Sequence, residues 1–186
     1  MSSSAARRER GLSLIELVVF IVVLAVGVTG IAILFDQMTR SSVDPVVRKQ
    51  ALAIAASLLE EVELHAFTYC DPDDPALRSA ASAAACATPE AAGPEPGETR
   101  YADPRFDNVN DYDGFSMSGG MRDIGNTIVP GLGAYAASVS VQPITAGELP
   151  GIPASEGLRI TVSVTGPANA SVVLQGYRLR YAPNLP

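Results

Sequence analysis

The chain has 186 residues, with 13 Lys and Arg against 20 Asp and Glu and a formal net charge of −7. That balance argues against a surface built to attract a nucleic-acid backbone, which rewards lysine and arginine. One histidine and two cysteines are too few for a zinc centre, and no cofactor or metal site is expected.

Residues 1–11 read as a basic leader, with Arg7, Arg8 and Arg10 around Glu9, ending at Gly11. An apolar stretch starts at Leu12, and residues 17–35 form a run of about nineteen residues broken only by Gly27, Thr29 and Gly30, long enough to span a hydrocarbon core. A secretory signal carries its small-residue cleavage site after the apolar stretch, so that the stretch is discarded. Here the glycine comes first. Cutting between Gly11 and Leu12 would leave residues 12–35 as a transmembrane helix at the mature N-terminus. It would also remove three of the 13 basic and one of the 20 acidic residues, leaving 10 against 19 and a net charge of −9. The arginines before the span and Asp36 after it place the leader in the cytoplasm and the rest outside. Glu16 stands out, because a carboxylate inside a membrane helix costs roughly 2.5–3.5 kcal/mol on insertion scales.

The run Gly11-Leu12-Ser13-Leu14-Ile15-Glu16-Leu17 resembles the processing motif of type IV prepilins, with Leu12 in place of the commoner aromatic. The resemblance implies that a membrane-embedded prepilin peptidase cuts after Gly11 and that the new amine on Leu12 is N-methylated. It also implies that Glu16 pairs with the amino terminus of a neighbouring subunit during filament assembly. Such a pairing is chemically sensible, since an opposite charge offsets much of the desolvation penalty in a low-dielectric bundle.

Residues 36–69 read as the amphipathic continuation of the helix. Val47, Ala51, Ile54, Ala55, Leu58 and Val62 recur at helical spacing, while Arg48, Lys49, Glu60, Glu61 and Glu63 take other faces. Asp44-Pro45 has the signature of an N-cap followed by proline at the first helical position, so a kink or restart is expected there. The whole helix would be roughly 80 Å long at about 1.5 Å per residue, leaving its outer half free to pack on a globular head.

Residues 70–186 are that head, large enough for one domain with its own core. Residues 70–134 read as a loop region. Cys70 and Cys86 face an oxidising compartment, so a disulfide is the natural reading and would contribute roughly 3 kcal/mol by the chain-entropy model. Asp74-Pro75 could cap a short alanine-rich helix through Ala85, and residues 88–99, rich in Pro, Gly and Glu, read as mobile. Residues 106–115 have the composition of a calcium loop but fail the EF-hand spacing, because Gly114 puts Val109 in the first ligand position. They read instead as turns whose Asx side chains bond their own backbone.

Residues 135–181 read as antiparallel sheet. Val139 and Val141 share one face, as do Leu158, Ile160, Val162 and Val164, and Gly166-Pro167-Ala168-Asn169 turns the chain into a hairpin. In the last strand the apolar phase shifts from Val172 and Leu174 to Tyr177, Leu179 and Tyr181, which predicts a bulge at Gly176. A one-sided sheet and a striped helix should pack together, so the expected fold is α+β, of type IV pilin-like form.

The segments Asp44-Pro45-Val46-Val47-Arg48-Lys49-Gln50-Ala51-Leu52-Ala53-Ile54-Ala55, residues 106–114, and Gly176-Tyr177-Arg178-Leu179-Arg180-Tyr181 are similar to MshD-type minor pilins of the mannose-sensitive haemagglutinin (MSHA) pilus. This implies a low-abundance subunit that initiates or caps a filament, or takes part in adhesion at its tip. Its partners would be other pilins, the prepilin peptidase, inner-membrane assembly machinery and, before assembly, membrane lipid. It would reside in the bacterial inner membrane with its head in the periplasm, and then in the extracellular pilus. A minor pseudopilin of a type II secretion system and a tip adhesion module, with exposed loops at 71–105 or 144–156, are the alternatives. An enzyme is not expected: there is no nucleophile motif of the Gly-x-Ser-x-Gly kind and no phosphate-binding loop, and Ser116 and Ser118 near Asp113 read as ordinary loop residues.

Overall fold

The computed structural model describes residues 14–186, the side chains of residues 34 and 36–44 excepted. Gly11 and Leu12 therefore lie outside the described residues. The chain divides into two units, Met1–Val43 and Asp44–Pro186. Helix α1 (Leu14–Leu64) contributes to both and is continuous through Pro45, so the expected restart there does not occur.

In the first unit, Leu14–Ile33 is long and apolar enough to cross a membrane, and its side chains are exposed all round. Thr29, the hydroxyl within the run, donates to the Ala25 carbonyl at 2.7 Å. Its polar group is thereby satisfied inside the helix, as a hydrocarbon environment requires.

In the second unit α1 meets a four-stranded antiparallel sheet of order β1 (Ser116–Met117), β2 (Ala136–Pro143), β3 (Gly157–Thr165) and β4 (Ser171–Leu179). The fold is α+β, as the paired surfaces in the sequence require. Val47, Ala51, Ala55, Leu58 and Val62 are buried against one core with Val139, Val141, Ile160, Val162 and Val164. Two alanines in the stripe leave room for the helix backbone to lie close over β-branched residues, which present a stiff, flat surface. β1 lies in the segment read as loop, and it is too short for period-two alternation to show.

The expected bulge at Gly176 is absent. β3 and β4 stay in register from Gly157↔Leu179 to Thr165↔Ser171, with Gly176 opposite Ile160. Gly176 is there because the helix comes close: a Cβ would lie 3.0 Å from Leu59 Cδ1 and would collide with the Glu63 carboxylate. The phase shift in the sequence marks the end of the helix. α1 stops at Leu64 instead of running to 69, and beyond it the inward positions of the last strand and its extension are Arg178 and Arg180. Arg178 Nε donates to the His65 carbonyl at 3.1 Å, satisfying an acceptor at the helix end. The Arg180 guanidinium lies 3.9 Å from the Phe67 ring centroid and 4.7 Å from that of Tyr69. Tyr177 and Leu179 face outward, and Tyr177 O–H donates to Glu148 at 3.1 Å.

No alanine-rich helix forms between Asp74 and Ala85. Asp74 does cap, accepting the Ala76 N–H at 2.6 Å, but the chain makes one turn and then only a 3-10 turn at Ala83–Ala85. A segment of that length cannot offset helix nucleation by itself, and its ends are held by a Cys70–Cys86 disulfide with Cα atoms 5.4 Å apart. Residues 88–99, read as mobile, are tied down by backbone bonds from Asp71 to Thr88, Glu90 to Tyr69, Gly93 to Asn110 and Phe106 to Thr99.

Candidate functional site

The assembly segment begins with Glu16, exposed in the first turn of α1. An anionic side chain is favoured there by the helix dipole. Around it, Leu14, Ile15, Leu17 and Phe20 are 82%, 72%, 50% and 63% exposed. An apolar surface that surrounds a helix suits lipid or other helices of its kind, and it is not stable against water.

The head holds two clusters of charge. In the first, Arg100 grips Glu61 with two parallel bonds, Nε to Oε1 at 2.6 Å and Nη2 to Oε2 at 2.7 Å. Its remaining nitrogen donates to the carbonyls of Arg122 at 3.0 Å and Asp123 at 3.4 Å. Tyr112 O–H donates to Glu61 Oε1 at 2.8 Å and accepts from His65 Nε2 at 2.9 Å, which places the proton of His65 on Nε2. Burial raises the Glu61 carboxyl, but the hydrogen bonds from Arg100 and Tyr112 outweigh it, so Glu61 is held below its ordinary range. Burial holds the His65 imidazole low against the pull of Glu61. This cluster ties the end of α1 to the loops that precede and follow β1.

The second cluster is formed by Glu90, Glu95, Glu98, Asp107 and Asp111. Asp111 is fully buried in the 3-10 turn Val109–Tyr112. Its Oδ2 accepts the N–H groups of Asp107 at 2.9 Å and Asn108 at 2.8 Å, the local Asx bonding read from the sequence. Glu90 enters on the strand-like segment held to Tyr69, beside the disulfide. Burial first, then Asp111, Glu95 and Asp107, push the Glu90 carboxyl up to about 9. Burial and neighbouring carboxylates push Glu98 to about 8 and Asp111 to about 7, and burial with Asp71, Asp73 and Glu95 pushes Asp107 to about 6.

The structure thus brings Cys70 and Cys86 together and leaves Glu16 on the exposed apolar helix. Sequence reasoning missed both charge clusters. Glu61 read as one of several solvated glutamates. The acidic ring could not be seen from residues 106–115 alone, because the other carboxylates come from a segment whose Pro and Gly content reads as loop.

Residues 6–32 match the family model of the prokaryotic N-terminal methylation motif. No curated protein and no solved structure matches the chain. The matched span takes in the arginines before Gly11, Gly11 and Leu12, Glu16 and most of the apolar helix, and it supports a type IV pilin-like or pseudopilin-like protein, anchored through that helix.

Proposed function

We propose that this chain is a minor pilin of a type IV pilus of the MSHA kind, a structural subunit acting in pilus assembly or at the filament tip. The observation that carries the reading is the methylation motif running into an apolar helix exposed on every side, with Glu16 in its first turn. A segment of that kind is anchored in lipid before assembly and buried among other pilin helices after it. In this reading prepilin peptidase cuts between Gly11 and Leu12, the Leu12 amine is methylated, and Glu16 neutralises the amino terminus of a neighbour. The head lies in the periplasm and then on the filament.

Mass spectrometry of membrane-extracted protein tests the first step. A chain beginning at methylated Leu12 is the expected result; an intact leader, or a cut beyond Phe35, overturns the pilin reading. Glu16→Gln tests the second. Cleavage and the folded head should be unchanged while incorporation into sheared filaments falls, and equal incorporation would remove the case for the salt bridge. Co-purification with pilus subunits supports the filament over a secretion pseudopilus, whose companion proteins differ.

A further inference from the structure

We propose that Glu90, Glu95 and Asp111 form a binding site for a calcium ion, placed where the disulfide-bounded loop meets the 3-10 turn Val109–Tyr112. Each of the three brings a carboxylate oxygen to within 4.8 Å of the others. Calcium takes oxygen ligands at about 2.3–2.6 Å in flexible geometry, whereas magnesium needs bonds of about 2.0–2.1 Å in near-ideal octahedral geometry and is held by one or two carboxylates and water, so a group of three carboxylates suits calcium. The three ligands offer oxygen donors, the choice of a hard cation.

Acidic residues in proximity do not make a site, since most such groups are solvated. Here the oxygens of Glu90 and Asp111 are withdrawn from solvent. Asp111 is 0% exposed, and its Oδ1 has no hydrogen-bond partner among the described residues although Oδ2 has two. Both carboxylate oxygens of Glu90 are likewise buried without a partner, as are one of Glu98 and one of Asp107. Buried acceptors in such numbers are costly unless something positive meets them. Arg180, the cation whose field reaches Glu90, is stacked on Phe67 and Tyr69 and lies 3.8 Å from Glu156. A divalent ion would satisfy the orphaned oxygens and offset the repulsion among the carboxylates together. The ligands are spread over residues 90–111 in no EF-hand order, which is why the spacing test on residues 106–115 missed them. Extracellular calcium modules bind with Kd of about 10⁻⁴–10⁻³ M, the range in which this site would work on an exported head.

The test uses the full chain in detergent, unfolded thermally in EDTA, in calcium and in magnesium, with equilibrium dialysis against calcium chloride as a direct readout. Calcium at a hundredfold excess over Kd should raise Tm by about 5–10 °C, with magnesium giving much less. Glu90→Gln should weaken calcium binding roughly tenfold or more, yet leave Tm in EDTA equal to or above that of the wild type, because the cost of burying an unpartnered carboxyl is removed. That reversal of sign is not expected of a residue that merely holds the fold. Glu95→Gln, at the other half-buried position, should weaken binding in the same way and keeps the test available if Glu90→Gln does not fold. No calcium-dependent shift and no binding at millimolar calcium overturn the proposal, as do variants that bind like the wild type. The readout is on purified protein, so it fails or succeeds separately from filament incorporation.

Discussion

Glu61 and Glu90 are both glutamates withdrawn from water in the same head, and their circumstances are opposite. Glu61 receives two bonds from Arg100 and one from Tyr112, and its carboxyl is held low. The Glu90 side chain faces other carboxylates, its two oxygens have no hydrogen-bond partner among the described residues, and it is pushed up to about 9. Burial acts on both in the same direction; the partner decides the sign. A half-buried charge with a bidentate partner fastens helix to loop, whereas a carboxyl withdrawn from water without one marks a place built for something else.

The largest expected effect comes from breaking the paired cluster. Arg100→Leu leaves the half-buried Glu61 with Tyr112 as its remaining donor and takes the guanidinium from the Arg122 and Asp123 carbonyls, and should destabilise the head by about 3–5 kcal/mol, read from denaturant unfolding. Replacing Glu61 and Arg100 together by apolar residues should cost much less than the two single changes added, because the penalty lies in the orphaned charge. Additive losses would show that the pair itself, not its desolvation, supplies the stability.

Opening the disulfide separates the two clusters. Cys70→Ser with Cys86→Ser should cost about 2–4 kcal/mol for a separation of 16 residues. The loss should be local: hydrogen exchange should quicken at residues 71–99, around Glu90, and change little in β2 and β3. Uniform quickening would mean that the loop is an integral part of the sheet core.

Glu90→Gln should act in the opposite direction to Arg100→Leu. Without divalent cations it should stabilise the head by about 1–3 kcal/mol, since the buried carboxylate is disfavoured in its charged form. Destabilisation in EDTA would show that the cluster is satisfied as it stands.

The smallest effect is the pH response of the paired side. Glu61 lies below its ordinary 4.5 and His65 below its ordinary 6.5, so in both cases the unfolded chain binds protons first. Their contribution is complete above about pH 6.5 and is lost as pH falls, first through His65 and then through Glu61. Because Glu90, Glu98, Asp111 and Asp107, raised to about 9, 8, 7 and 6, stabilise the fold as pH falls over the same range, the response is read as the stability difference between wild type and His65→Gln, which should shrink by less than about 1 kcal/mol from just below pH 6.5. A difference that grows as pH falls there would place a charged imidazole in the fold.

Much of the fold was legible because its signals are local and periodic. The stripe from Val47 to Val62 and the alternation in β2 and β3 identify a helix face and a sheet face that need one another. Tyr177, Leu179 and Arg178 show where legibility stops. Their pattern looked like a bulge because side-chain type was taken for side-chain direction, while the strand runs in register past the end of a helix, where an inward arginine meets a free carbonyl and an outward tyrosine meets Glu148.

By itself the sequence determined the apolar helix with Glu16 and the helix and sheet faces of the head. Each is written in contiguous residues, where hydropathy and period translate directly into environment. Only the tertiary structure decided which charges are paired. Arg100 finds Glu61 across 39 residues, and Asp111 comes within 4.8 Å of Glu90 and Glu95. Electrostatic energy depends on distance and desolvation, not on chain order, so the chain must fold before a glutamate becomes either a clamp or a ligand.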